Sequence, residues 1–382
     1  MNKNVIDFIG RQDLRLGKLR IKVGFDPTSP DLHLGHVVLL NKAKQLQEMG
    51  HKIIFLIGDF TATIGDPTGK NISRQPLTTQ QVKENCETYL DQVDKILDLE
   101  FTEVYRNSIW LDKLSPTDFI KLMSTFTVAR LLERDDFKKR FTDNIPIGLH
   151  EFMYPLLQGY DSVVLHSDIE LGGSDQTFNM MVGRELQKHY GQHPQAIMTM
   201  PILEGLDGVQ KMSKSLNNYI GISDSPVNMF GKIMSISDTL LWRYLKLLTD
   251  KTNGEILKLQ QSSDLNPRDL KMDLGKELVT RFHDKNAAEF AYQDFIQKFS
   301  QRTVPDNLET RLIKIEVNEI KLIEILRLLN LASSNSEAIR AIKQNAVKID
   351  GLKVDDPSVC IKSGETVIIQ YGKRFFHKIE VQ

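Results

Sequence analysis

At 382 residues, with 41% hydrophobic and 26% charged side chains, the chain has the composition of a globular protein too long for one ordinary core, which predicts two or three domains. A formal net charge of −1 excludes a chain coated with nucleic acid along its length, although the segment 321–382 carries ten Lys+Arg against seven Asp+Glu and forms a basic end. No apolar run reaches membrane-spanning length, the first twenty residues hold no signal-peptide core, and Cys86 and Cys360 are too few and too distant for a disulfide framework, so the expectation is a cytoplasmic protein with no membrane contact.

Ile21 to Phe25 reads as the first strand, Pro27 and Pro30 punctuate a loop, and His33 to Gln47 carries apolar residues at helical spacing. The loop delivers His33 and His36 to a helix start, three residues apart and so on one face, where oriented backbone donors and the dipole favour a phosphate. Gly35 between them has no Cβ and allows close approach of a flat ligand such as a nucleobase. That four-residue pattern alone is more often ordinary polar surface, and no third ligand at suitable spacing supports zinc.

Ile53 to Ile57 reads as a buried strand followed by a polar turn at Asp66-Pro67-Thr68-Gly69-Lys70, which lacks the glycine spacing and Lys-Ser/Thr pair of a phosphate-binding P-loop. Strands alternating with helices imply a parallel sheet with ligands at the strand carboxyl ends, where Asp66 would lie. Thr78 to Leu99 is helical in pattern, Val104 to Trp110 is strand-like, and Ser115-Pro116-Thr117-Asp118 starts a mostly helical stretch to Arg140. Its charged run LLERDDFKKRF reads as a solvated helix face.

In EFMYPLLQGYD the residues Tyr154, Gln158 and Asp161 share one helical face, provided Pro155 falls in the first turn or is tolerated as a kink. Such a stripe is usually a wet face, yet Phe152, Leu156 and Leu157 around it suit a pocket lining. SVVLHSDIE is strand-like, and Glu170-Leu171-Gly172-Gly173-Ser174-Asp175-Gln176 then opens a helix, with two glycines that let backbone approach a ligand. A strand over Ala196 to Leu203 precedes Lys211-Met212-Ser213-Lys214-Ser215, two ammonium groups on a short polar loop.

From Ser225 to Phe299 the patterns are helical, and Gln301 to Asn307, with Pro305, is the best linker candidate. Ile320 to Leu331 is helical, Ser334-Asn335-Ser336-Glu337 is a capping-box pattern, and KIDGLKV and TVIIQYGKRFFHKIEV read as hairpins.

The pair HLGH (His33 to His36) and KMSKS (Lys211 to Ser215) resembles the class I aminoacyl-tRNA synthetases, in which these motifs flank the triphosphate of ATP. Tyr154, Gln158 and Asp161 followed by GGSDQ resemble the tyrosyl branch. The resemblance spans essentially the whole chain, with five motif pieces in the expected order. It implies an α/β fold: a Rossmann-like parallel-sheet catalytic domain over 1–224 with an insertion at about 111–150 making dimer contacts, a helical anticodon-side domain over 225–300, a linker over 301–319, and a small S4-like RNA-binding α+β domain over 320–382.

The resemblance also implies roles. His33, His36, Lys211, Lys214, Lys70 and Arg74 would be catalytic, meeting the phosphates; Asp26, Gly35, Gly173, Asp175 and Lys214 would bind ATP; Asp66, Tyr154, Gln158, Asp161 and Gln176 would bind tyrosine. A buried carboxylate accepts a hydrogen bond from a phenol, and phenylalanine would leave it unpaired. Arg340, Lys343, Lys348, Lys373 and Arg374 would position RNA through its phosphates. Mg2+ would accompany ATP with no dedicated protein cage, and the partners would be L-tyrosine, tRNA(Tyr) and a second copy of the chain. One position departs from the best-known members: Lys22 stands where they carry a tyrosine, as in a second bacterial branch, which gives Asp161 a larger share of hydroxyl recognition. Rival readings are a tryptophanyl enzyme on the same scaffold and an RNA-binding protein with an inactive synthetase core.

Overall fold

The computed structural model describes residues 4–14, 17–67, 77–262, 265–300, 310–315, 318–329, 331–372 and 375–382. Lys70, Arg74, Lys373 and Arg374 lie outside the described residues. The chain divides into two compact units, the first ending at Phe295 and the second beginning at Ile296.

The first unit is organised by a six-stranded sheet of β1 (Phe8–Ile9), β2 (Arg20–Phe25), β3 (Lys52–Ile57), β4 (Thr102–Arg106), β5 (Ile169–Gly173) and β6 (Ala196–Met200) in the order β1-β6-β5-β2-β3-β4. All neighbours run parallel except β1, an antiparallel edge on β6. The run KIIFLI in β3 is apolar throughout because both faces are covered: Ile53, Phe55 and Ile57 join the main core, and Ile54 and Leu56 pack with Leu165 on the other side. The chain proceeds from β2 outward to β3 and β4, then returns to β5 and β6 on the other side of β2. This reversal makes the carboxyl ends of β2 and β5 a switch point, where an open parallel sheet leaves a crevice for ligands.

Helix α1 (Leu34–Glu48) follows β2 and buries Leu34, Val37, Val38, Leu40, Ala43 and Leu46 against the sheet. On the opposite face the helices Leu149–Leu165 and Thr177–His189 cross at Gly159 and Gly183; a Cβ on Gly159 would stand 2.9 Å from the Gly183 nitrogen, so the crossing requires that hydrogen. Pro155 is accommodated inside the first of these helices. Of the strand expected across SVVLHSDIE, Ser162 to Leu165 is instead the last helical turn, ended by His166 at φ 47°, and only Ile169–Gly173 is extended. Valine and leucine there fill the helix–sheet interface, so their apolar run does not report a strand. Likewise Val104 to Trp110 divides into the end of β4 and a short helix Ser108–Leu111, and Thr78 to Leu99 contains two helices, Thr79–Glu87 and Tyr89–Asp94. The capping box at Ser115 and Asp118 forms as its sequence predicts.

Five helices cover Pro226–Ser300 among the described residues, and Phe230, Leu241, Tyr244, Leu274 and Phe282 merge into the same core as the sheet. In the second unit, helices Leu322–Leu328 and Asn335–Lys343 pack with a five-stranded sheet through Leu322, Ile325, Ala338, Ile342, Ile369 and Ile379. Asp350 and Gly351, both at positive φ, make the tight turn between Val347–Ile349 and Leu352–Lys353, and Thr366–Tyr371 pairs with Phe375–Val381. Within the stretch expected as linker, Thr310–Ile313 is a strand running parallel to Phe375–Val381. Each residue pairs with one 68 positions further along the chain, Thr310 with Lys378 through Ile313 with Val381, a pairing that local pattern does not carry. Ser334 caps its helix as expected, but Glu337 turns its carboxylate to the Ser333 amide at 2.7 Å, one residue short of a reciprocal box.

Candidate active site

The histidines stand at the start of α1 immediately beyond β2. His33 is the N-cap: its Nδ1 accepts from the Gly35 amide at 3.2 Å, while its own amide donates to His36 Nδ1 at 3.1 Å. Both Nδ1 atoms are thus acceptors, which assigns the proton of each neutral ring to Nε2 and leaves two N–H donors for a ligand. The rings stack at 3.8 Å between centroids. Burial, reinforced by the Lys214 charge, lowers His36 from 6.5 to about 4, and burial with the His36 and Lys214 charges holds His33 well below its ordinary value. Both are therefore uncharged near pH 7. Gly35 has a local reason to be glycine, since a Cβ there would meet the His33 ring at 2.9 Å.

The Lys211–Ser215 loop is brought to the same place by backbone pairing. The Leu34 amide donates to Ile220 O at 3.0 Å, the Ile222 amide to Leu32 O at 3.0 Å, and His33 bridges Gly221. Asn218 shapes the loop, accepting from the Ser213 amide at 2.8 Å and donating to Asp207 at 2.8 Å. Both lysines rest on carboxylates: Lys214 Nζ is 2.6 Å from Asp31 Oδ2, and Lys211 Nζ is 3.2 Å from Asp175 Oδ2. These are partly exposed pairs, readily exchanged for a more highly charged ligand.

Asp26, at the end of β2, accepts from Tyr154 Oη at 2.7 Å and Thr61 Oγ1 at 2.8 Å. A Cβ on Gly58 would stand 2.1 Å from Asp26 Oδ1, which explains the glycine after β3. Tyr154 is buried beside this carboxylate, and both effects push its phenol well above its ordinary value. Gly173 ends β5, with Asp175 folded back so that a Cβ on the glycine would meet its Oδ1 at 2.6 Å.

Asp66, Gln158 and Gln176 converge in one hydrogen-bonded group, and Asp161 has partners of its own. Gln176 Nε2 donates to Asp66 Oδ2 at 2.7 Å; Asn179 Nδ2 donates to Gln176 Oε1 at 2.9 Å and to Gln158 Oε1 at 3.0 Å. Asp161 is buried and accepts from Trp110 Nε1 at 2.8 Å and Asn107 Nδ2 at 3.2 Å. Burial raises its pKa to about 7 against the opposing charge of Lys22 and these two donors. Each carboxylate oxygen retains acceptor capacity for a further donor.

Arg134, Asn107, Trp110 and Asn179 are the residues sequence reasoning missed. Arg134 was placed on a solvated face, but it is buried, pairing with Asp66 at 3.1 Å and Asp136 at 2.7 Å and donating to Asn179 at 3.1 Å. Phe137 and Arg140 in the same run are also buried, the latter paired with Glu151 at 2.5 Å. Alternating charge resembles a wet helix because pattern cannot distinguish a solvated charge from one paired within the fold. Asn107 and Trp110, read in sequence as part of a strand, stand just past the carboxyl end of β4, the end of a parallel sheet where ligand-facing groups collect.

The switch-point crevice thus brings two uncharged imidazoles and two lysines together at the strand ends. The model of class I tRNA synthetases (W and Y) matches residues 15–345, and the chain belongs to that family. A tyrosine–tRNA ligase of Legionella pneumophila is 57% identical over 366 residues, covering 95% of this chain and 91% of the relative. Among solved structures, a C-terminally truncated mitochondrial tyrosyl-tRNA synthetase of Aspergillus nidulans matches with TM-score 0.65 at 22% identity, covering 78% of this chain and 92% of that one. The Archaeoglobus fulgidus tyrosyl-tRNA synthetase complexed with L-tyrosine matches with TM-score 0.61 at 25% identity, covering 76% and 96%. Within the family the chain stands in the bacterial tyrosyl branch, and the tryptophanyl and purely RNA-binding readings are not favoured.

Proposed function

We propose that the crevice between β2 and β5 activates tyrosine with ATP and then passes the tyrosyl group to tRNA(Tyr), the tyrosine–tRNA ligase reaction that the relatives' names describe. The observation that carries this reading is the meeting of His33 and His36 with the Lys211–Ser215 loop through the Leu34, Ile222 and His33 backbone contacts. In the first step a tyrosine carboxylate oxygen bonds to the α-phosphorus as the bond to the β-phosphate oxygen breaks, giving tyrosyl-adenylate and pyrophosphate. In the second a ribose hydroxyl of the terminal adenosine attacks the tyrosyl carbonyl and AMP departs. No protein nucleophile is needed.

Catalysis then rests on positioning and on donors aimed at charge that grows in the transition state. His33 and His36 would offer Nε2–H without bringing a charge of their own; Lys211 and Lys214 would leave Asp175 and Asp31 for the phosphates, freeing Asp175 for the ribose. Asp26, Gly35 and Gly173 would border the nucleotide. Asp66 would take the tyrosine ammonium, Gln158 and Gln176 its polar backbone groups, and Asp161 its phenol, while Tyr154 acts through Asp26. Lys70 and Arg74, outside the described residues, are assigned to pyrophosphate by family resemblance. Mg2+ would accompany the nucleotide, as the family resemblance implies.

A homodimer is supported by exposed apolar side chains on the insertion, Ile120, Val128 and Phe141, each more than 60% accessible. The S4-like assignment of the second unit is supported by two short helices and hairpins carrying Arg340 and Lys343 on one exposed helix end and Lys348 on a strand. Arg340→Glu with Lys343→Glu is expected to raise the KM for tRNA about tenfold at low salt and leave tyrosine-dependent pyrophosphate exchange unchanged. Equal tRNA KM values for variant and parent at low salt would remove the RNA role from this helix.

A further inference from the structure

We infer that Lys22, through Glu170, is a positioning residue for tyrosine: the buried pair holds the NH2 end of the Gln158 amide. The inference rests on the reading that Gln158 and its neighbours hold the amino acid. Lys22 lies on β2 with its side chain on the face opposite Ile21 and Val23, almost wholly buried. Its ammonium spends all three protons inside the protein, on Gln158 O at 3.0 Å, Ser162 Oγ at 2.6 Å and Glu170 Oε1 at 2.9 Å. It has no proton left for a substrate.

Glu170 is equally committed. Oε1 receives Lys22 and Gln158 Nε2 at 3.1 Å; Oε2 receives Ser162 Oγ at 3.1 Å and Gln195 Nε2 at 2.5 Å. A carboxylate ion-paired with an ammonium is an acceptor only, so Gln158 presents its NH2 group there and its Oε1 to the other side. That oxygen meets Asn179 Nδ2, whose oxygen in turn accepts from Arg134 Nη1 at 3.1 Å, and the same Asn179 nitrogen meets Gln176 Oε1, whose Nε2 then faces Asp66. Every amide in this relay has one permitted orientation, with Arg134 at one end and Lys22–Glu170 at the other. A free amide flips at little cost; this one cannot.

Such a pair is a poor source of stability, because burying both charges offsets much of their attraction, whereas removing one partner alone strands the other. The split gives the test. Lys22→Met is expected to lower Tm strongly by leaving Glu170 uncompensated. Lys22→Met/Glu170→Gln, which keeps volume and removes both charges, is expected to recover Tm but not tyrosine binding, because without Lys22 a glutamine at 170 can turn either its oxygen or its NH2 to Gln158, leaving the Asn179 contact alone to hold that amide. In pyrophosphate exchange the double variant is expected to show a KM for tyrosine raised about tenfold or more, with the KM for ATP within about twofold. Recovery of both Tm and tyrosine KM in the double variant would overturn the proposal. Gln158→Ala runs alongside: if it too leaves tyrosine KM unchanged, the pocket assignment fails; if it raises KM while the double variant does not, only the orienting role of Lys22 fails.

Discussion

Replacing Lys214 or Lys211 by alanine is expected to slow tyrosyl-adenylate formation by roughly 10²- to 10³-fold in single turnover, with tyrosine affinity little changed. The asymmetry follows from where the ammonium groups sit. Lys214 is 2.6 Å from Asp31 and 5.5 Å from the Tyr219 ring centroid, on a loop tied to the start of α1, and Lys211 is 3.2 Å from Asp175, whereas Gln158 and Asp161 bond to other partners. Burial pushes Asp31 upward, but the hydrogen bonds from Lys214 and Ser223 outweigh it and hold its carboxyl below the usual value, consistent with a charge kept in place by this lysine. A triphosphate offers more negative charge than one carboxylate, so exchange of partners is favourable on ATP binding, and the lysine's full effect appears only as charge develops during phosphoryl transfer. Unchanged single-turnover rates in both variants would remove the KMSKS role.

The second large effect is expected at Asp161. Asp161→Asn should narrow the preference for tyrosine over phenylalanine by about 10- to 100-fold, the cost of a buried hydrogen bond to a charged acceptor that is lost or misdirected. Trp110 and Asn107 already donate to the two carboxylate oxygens, so the amide of an asparagine would also turn one N–H toward a donor. The parent enzyme should carry a pH signature as well. With Asp161 near 7, the ionised acceptor is lost as pH falls through that value, so kcat/KM for tyrosine should decline below about pH 7. His36 titrates near 4 and His33 well below 6.5, so neither supplies this inflection. The variant's profile should be flat from pH 6 to 8. A decline of equal size in Asp161→Asn would assign the inflection elsewhere, and intact discrimination would move phenol recognition to another group.

The parts of the site legible in sequence were those whose chemistry is local. His33 and His36 are three residues apart and become a capping pair at one helix start; Tyr154, Gln158 and Asp161 occupy one helix and keep their common face despite Pro155. What could not be read was the pairing of distant charges. Lys22 with Glu170, Arg134 with Asp66, and Lys214 with Asp31 join residues 148, 68 and 183 positions apart, and each side chain alone has the composition of surface. The apolar stretch Ser162 to Leu165 misled for a related reason: burial on a helix that packs against a sheet calls for the same residues as a buried strand. Thr310–Ile313 is a strand only because Phe375–Val381 lies beside it.

The most direct test is amino-acid-dependent exchange of pyrophosphate into ATP with tRNA omitted, comparing tyrosine, phenylalanine, tryptophan and no amino acid. Exchange driven by tyrosine, with phenylalanine and tryptophan at background, is the predicted result. Exchange driven by tryptophan would contradict the pocket built around Asp161, and no exchange with any amino acid would contradict the activation chemistry assigned to His33, His36, Lys211 and Lys214.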